Sequence, residues 1–406
     1  MINHYISVFC NAPQFFIFSI SGIFFSAPGQ TFLISLAIPA ICQSLQISAM
    51  EFASVYSIAT VMASFFLPII GKAIDRWPLK RTLLLNASLF FLSIMTFSLQ
   101  TNLVLLFIAL FFMRLFGQGA LTLTATSITI KKFRTNRGSA LSLTQLGYPL
   151  SEFIYPSLLV FGLSLLGWRF TFITLALFIP LLYLPLSWYG SMDYKKTNEN
   201  QVDQSSKSLK FVLRDPFFPI YVAFSSIPPI MMTAALYFQM TIFSNNGWPI
   251  TNTAIAIFCY ALLKFLFTLI SGPFVDRYGV LLALFFLTFC IGLATVIIAF
   301  QGDPMMGFIY YGLYGAGIGA SASTMNYLWG LLYGSDYIGE IKGTIAIIRN
   351  GATAVAPVTF SFFLYYLHVP FNAIFFYCGV AIIIMSFLPF IVQYFDQRLQ
   401  LASKTD

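Results

Sequence analysis

Long apolar runs, each closed by charges or turn residues, follow one another along the whole 406-residue chain. They lie at about 14–41, 52–72, 82–100, 103–130, 138–164 and 168–190, then at 215–243, 251–272, 279–300, 304–333, 342–367 and 370–394. A helix that crosses a bilayer needs about 20 apolar residues. Twelve such runs occupy about 240 residues, leaving room for short loops and one longer connection. Hydrocarbon offers no partner to backbone N–H and C=O groups, so each run must satisfy its own and therefore be helical. The pattern predicts an all-α membrane protein with twelve transmembrane helices.

Only one extended stretch is polar, residues 191–213 (SMDYKKTNENQVDQSSKSLKFVL), and it divides the runs six and six. Its composition is that of a flexible linker. The expected organisation is a six-helix bundle over 1–190, a cytoplasmic linker over 191–213, and a second six-helix bundle with a tail over 214–406. The halves echo each other: Gly71, Asp75 and Arg76 close the second run, and Gly272, Asp276 and Arg277 close the eighth. Arg114-Leu-Phe-Gly117-Gln-Gly119 in the fourth run matches Gly312-Leu-Tyr-Gly315-Ala-Gly317 in the tenth. Two parallel repeats of this kind are what alternating-access carriers use, with the site between them near the midplane.

Charge then orients the chain. Of 21 Lys and Arg residues, seventeen fall on one side if the N-terminus is inside, only Arg169 falls on the other, and Arg114, Lys264 and Arg349 lie within runs. The positive-inside bias therefore predicts cytoplasmic termini. It also accounts for the net charge of +8, which is not read as nucleic-acid binding. Charged residues make up 8% of the chain against about 25% in soluble domains, so no soluble domain is expected. Five cysteines lie mostly in apolar runs without paired spacing, so neither a disulfide frame nor a metal site is expected. The pattern contains no nucleophile–base pair and no phosphate-binding glycine loop, so neither an enzyme nor a cofactor is predicted.

The segment from Gly71 through Asp75 and Arg76 to Lys80 and Arg81 resembles the signature loop of the major facilitator superfamily, and its partial repeat after the eighth run strengthens the resemblance. The resemblance covers the whole chain and implies the major facilitator fold, transport by rocking of two bundles, and a monomer in a bacterial inner membrane. It also implies a conformational latch, with Asp75 near the start of the eleventh helix and basic residues holding the cytoplasmic side shut. Arg114 with Gly117 and Gly119 is similar to the family's fourth-helix motif, whose Arg is linked to substrate or proton handling. Lys264 and Arg349 are similarly placed to the paired cations of oxalate and monocarboxylate carriers. The fifth run reads Gly147-Tyr148-Pro149-Leu150-Ser151-Glu152, which departs from the Gly-Pro-x-x-Gly core of drug/proton antiporters.

A charge at the bilayer centre costs at least about 2.5–3.5 kcal/mol and calls for a reason. Arg114 lies eleven residues into its run, about 16 Å deep, and Glu152 is also central. Runs four and five are neighbours, so these two are expected to reach each other. Three cations, Arg114, Lys264 and Arg349, stand against one acid, Glu152, and the excess predicts an anionic cargo held in part by Arg forks. Glu152 is the expected proton-coupling residue. Gln30, beside the breaker Pro28-Gly29, and Tyr148 and Tyr314 are expected to complete the cavity, with Tyr155, Tyr310 and Tyr311 as further tyrosine candidates. The reading is proton-linked movement of a carboxylate-bearing anion, with uptake favoured. A carboxylate siderophore, efflux of amphipathic compounds and a non-transporting sensor remain alternatives.

Overall fold

The computed structural model describes residues 2–133, 136–194, 208–245, 247–248, 250–300, 304–361, 363 and 367–395. Most of the predicted linker lies outside the described residues. The fold is all-helical, with twelve spans in two six-helix bundles. After a short helix Ile2–Cys10, span one runs over Pro13–Leu45, span two over Ala49–Arg76, span three over Leu79–Leu99 and span four over Leu103–Lys132. Spans five and six share the run Arg137–Ser191, turned at Gly167, whose φ of 71° suits a residue without Cβ. Span seven is Phe218–Asn245, and spans eight and nine share Ile250–Ala299, turned likewise at Gly279 with φ 80°. Span ten is Pro304–Tyr333, span eleven Ile338–Ser361, and span twelve Phe371–Ser386 continued by Leu388–Phe395. Among the described residues, seven helical runs are long and apolar enough to cross a membrane.

Each bundle has its own apolar core. In the first, Phe90, Phe97, Leu110 and Phe172 are buried together. In the second, Phe224, Ile291, Tyr314 and Phe375 are buried together. A further cluster runs across the junction, where Ile130 and Leu141 of the first bundle pack with Val275, Leu328 and Ile341 of the second. Outward faces carry Leu, Ile and Phe, and Phe153 is 81% exposed one residue from Glu152. In water such a surface would aggregate, whereas in hydrocarbon it is the expected one.

The two repeated motifs meet the opposite bundle at one end of the molecule. Asp75, ending span two, accepts the backbone N–H of Gly339 at 3.1 Å and of Glu340 at 2.8 Å, in the first turn of span eleven. Asp276, ending span eight, accepts those of Gly138 and Ser139, both at 2.8 Å, in the first turn of span five, together with the Ser139 hydroxyl at 2.6 Å. First-turn N–H groups have no partner within their helix and carry the positive end of its dipole, so a carboxylate is the complementary group. The approach requires glycine: a Cβ on Gly71 would sit 2.0 Å from the Gly339 carbonyl oxygen.

The basic residues of the motif differ from expectation. The cation on Asp75 is Lys131, from the end of span four, at 2.7 Å. Arg81 lies over the Trp77 ring at 4.6 Å and Arg277 over Tyr278 at 5.2 Å. Among the described residues Arg76 joins no ion pair. Successive helical residues are turned by about 100°, so when Asp75 faces span eleven its neighbour Arg76 points away to the exposed side.

Asp75 thus has a half-buried cation as well as two N–H donors, whereas Asp276 has donors alone among the described residues. Asp75→Asn is therefore expected to cost about 2–3 kcal/mol and Asp276→Asn about 1 kcal/mol, compared by thermal unfolding of the purified protein. Equal costs would show that the Lys131 pair contributes nothing. Gly71→Val is expected to part spans two and eleven. A cysteine placed at buried Ser142 would then react faster with a water-soluble maleimide.

Candidate functional site

Span one is broken at the midpoint of its length. Pro28 lies in the single 3₁₀ turn Ala27–Gly29, and Gln30 is extended (φ −90°, ψ 149°) before the helix resumes at Thr31. The break frees backbone carbonyls from the helical ladder. Arg114 answers them: its Nη1 donates to the Gly29 carbonyl at 3.0 Å and to the Thr31 hydroxyl at 3.2 Å. Its Nε donates to the Thr60 hydroxyl of span two at 3.1 Å. The guanidinium lies 5.0 Å from the Tyr56 ring centre, and the Tyr56 hydroxyl donates to Thr31 at 2.8 Å. Arg114 itself sits in a π-helical stretch of span four, Met113–Leu121, a widened turn that re-aims side chains. Every one of these partners is electrically neutral.

Glu152 is not among them. Instead of pairing with Arg114 within the first bundle, it accepts from Lys264 of span eight at 2.6 and 2.7 Å, through both carboxylate oxygens. The face of span five that carries Glu152 is turned toward the second bundle, while Arg114 is drawn to the break in span one. Sequence neighbourhood of spans four and five says nothing about either azimuth. The pair therefore joins the bundles, and it neutralises the one lysine expected to await cargo. Lys264 also lies 5.7 Å from the Tyr260 ring centre.

Arg349 of span eleven is the contrasting case: among the described residues its buried Nε has no hydrogen-bond partner. Its neighbour Asn350 donates to Ser64 of span two at 2.7 Å, one turn from Thr60. Tyr148 of span five lies within electrostatic reach of Arg349, Lys264 and Glu152. Arg114 is within the same reach of Tyr148. The structure thus gathers Arg114, Tyr148, Glu152, Lys264 and Arg349 around one region between the bundles.

Other expected residues are placed differently. Gln30 is buried and donates to Ser26 of its own span at 3.1 Å, so the working groups of the break are the Gly29 carbonyl and Thr31. Tyr155 packs on Phe24 at 5.1 Å inside the first core. Tyr314 is buried in the second core, stacked on Tyr310 at 5.7 Å and Tyr260 at 6.2 Å, and its hydroxyl has no hydrogen-bond partner among the described residues. Lys342, in the first turns of span eleven, is drawn inside and donates to Thr126 of span four.

Residues that the sequence reading passed over include Thr31, Tyr56, Thr60, Thr122, Tyr260 and Lys342. A signal for some of them was present. Tyr56, Thr60 and Ser64 recur every four residues on span two, as do Arg114, Gln118, Thr122 and Thr126 on span four. Such spacing puts polar groups on one helix face.

The Major Facilitator Superfamily profile matches residues 20–357. No curated protein matches the sequence. Among solved structures, the human organic anion transporter MFSD10 (TETRAN) superposes with a TM-score of 0.69 at 12% identity, covering 94% of this chain and 99% of that one. The proton:xylose symporter XylE bound to 6-bromo-6-deoxy-D-glucose superposes with a TM-score of 0.69 at 14% identity, covering 94% of each chain. Identities this low speak for fold alone, but the profile spans most of the length, and the chain belongs to the major facilitator superfamily as a membrane transporter of that general kind.

Proposed function

We propose that this protein is a secondary transporter that moves a carboxylate-bearing organic anion together with a proton by alternating access. We place it as a monomer in a bacterial inner membrane, with the Asp75 and Asp276 contacts as the cytoplasmic latch. The moving bodies are residues 1–190 and 214–406, joined by the linker 191–213. One observation carries the choice of cargo. Once Lys264 is paired with Glu152, two guanidinium groups, Arg114 and Arg349, stand in the membrane interior with neutral partners or none among the described residues. A buried charge without a counter-charge is costly, and an anion relieves it. The guanidinium suits a carboxylate: Arg349 keeps the Nε of its planar fork unpartnered among the described residues, and Arg114 keeps Nη2. The fold itself accommodates both an organic anion transporter and a proton:sugar symporter, so the charges decide.

Proton linkage follows from the same pair. Protonating Glu152 removes the negative partner of Lys264 and adds the unbalanced Lys264 ammonium to the region. Proton and anion then bind cooperatively, and by linkage each strengthens the other. Cotransport in one direction is the natural outcome, which supports uptake.

Carboxylates are expected to raise the unfolding temperature of the purified protein, with about 2.7 kcal/mol of stabilisation at 100 times the dissociation constant. Stabilisation by neutral or cationic compounds alone would reject an anionic cargo. Anion affinity is expected to be higher at low pH than at high pH, because protonation removes the charge that Glu152 sets against Lys264. In Glu152→Gln the pH dependence should vanish and proton-driven accumulation should be lost, while anion exchange across proteoliposomes persists. Accumulation that survives in this variant would remove Glu152 from the coupling.

A further inference from the structure

We propose that the cargo is a dianion with its two negative groups at separate ends, one taken by Arg114 and the other by Arg349, and that only an ion holding both is carried across. This rests on the anion reading above and narrows it.

The two arginines belong to different bundles, Arg114 to span four and Arg349 to span eleven. Arg114 is bonded to span two directly, and the backbone that carries Arg349 is tied to the same helix through Asn350. Arg114 donates to Thr60, and Asn350, next to Arg349, donates to Ser64. Thr60 and Ser64 are one helical turn apart, about 6 Å along the axis, so the backbone beside Arg349 meets span two within about one turn of the Arg114 contact. Tyr148 lies within electrostatic reach of both. The donors left over are directional. Nε and Nη1 of Arg114 are used on Thr60, Gly29 and Thr31, and its Nη2 makes no hydrogen bond among the described residues. Arg349 retains an unpartnered Nε there.

Counting charge sets the valence. A monoanion neutralises one arginine and leaves the other uncompensated, whereas two negative groups satisfy both. Position then connects valence to transport. A ligand shifts a conformational equilibrium only by its difference in affinity for the two states. A monoanion seated on one arginine touches one bundle and binds alike whether the bundles are apart or together. A two-ended dianion gains its second contact only when both bundles approach, so it favours the state between the two openings.

The test compares straight-chain dicarboxylates of three to six carbons, fully ionised, with butanoate and with sulfate, by thermal shift and by flux into proteoliposomes. The best dicarboxylate is expected to bind at least about 10-fold more tightly than butanoate and to be the one class that shows flux. Arg349→Gln is expected to bring the dicarboxylate-to-butanoate affinity ratio close to one while leaving butanoate binding in place, and Arg349→Lys should keep part of the ratio. Arg114→Gln supplies the same readout if the Arg349 variants do not fold, and the chain-length series on the unaltered protein needs no variant. Butanoate flux equal to that of the dicarboxylates would overturn the inference. So would sulfate binding as tightly as the best dicarboxylate, or a ratio unchanged in Arg349→Gln. If no anion stabilises the protein at all, the anion reading itself falls.

Discussion

A charge taken from water into hydrocarbon must be compensated on the spot, because neither solvent nor salt can reach it. This chain shows four levels of compensation. Lys264 and Glu152 satisfy each other across the bundle junction. Asp75 and Asp276 are met by the first-turn N–H groups of the helix opposite, with Lys131 added at Asp75. Arg114 is held by a carbonyl, two hydroxyls and an aromatic face, all of them neutral. Arg349 is the least satisfied of all. On the proposed reading, that gradient separates groups that hold the protein together from groups left for a cargo.

The helices that are capped are also the helices that carry the proposed binding and coupling residues. Span five begins with the Gly138 and Ser139 N–H groups on Asp276 and continues to Tyr148 and Glu152. Span eleven begins with Gly339 and Glu340 on Asp75 and continues to Lys342 and Arg349. From Glu340 to Arg349 is nine residues, about 13.5 Å of rigid helix. A helix of that length transmits rotation at one end to displacement at the other without any chain of intermediate contacts. On the proposed reading, loss of either carboxylate contact would move an arginine or a glutamate at the centre, and occupancy of the centre would bias the contacts at the end.

Much of this was legible before any tertiary contact was known. The run lengths give the spans, since nothing but a self-satisfied helix of about 20 residues crosses a bilayer. The cost of charge in oil marks Arg114, Glu152, Lys264 and Arg349 by position alone. The repeated Gly–Asp–Arg segment points to a junction after spans two and eight, and both aspartates are found there. The basic residues beside them are not in that role, because a helix turns each successive side chain to a new direction while the motif records only their order. The fold's ion pairing was misread for the same reason. Spans four and five are adjacent, yet adjacency leaves open which face each turns to the other.

What the sequence determined by itself is therefore the inventory: twelve helices in two matching halves, a set of charges stranded among them, and an excess of positive over negative. These follow from hydrophobicity and chain length, which are local properties. What only the tertiary structure decided is the assignment of partners. Glu152 goes to Lys264 of the other bundle, Lys131 goes to Asp75, and Arg114 goes to the carbonyl freed at the break in span one. Each of these depends on the rotation of a helix about its own axis and on the close approach that glycines at the crossings permit, and packing sets both.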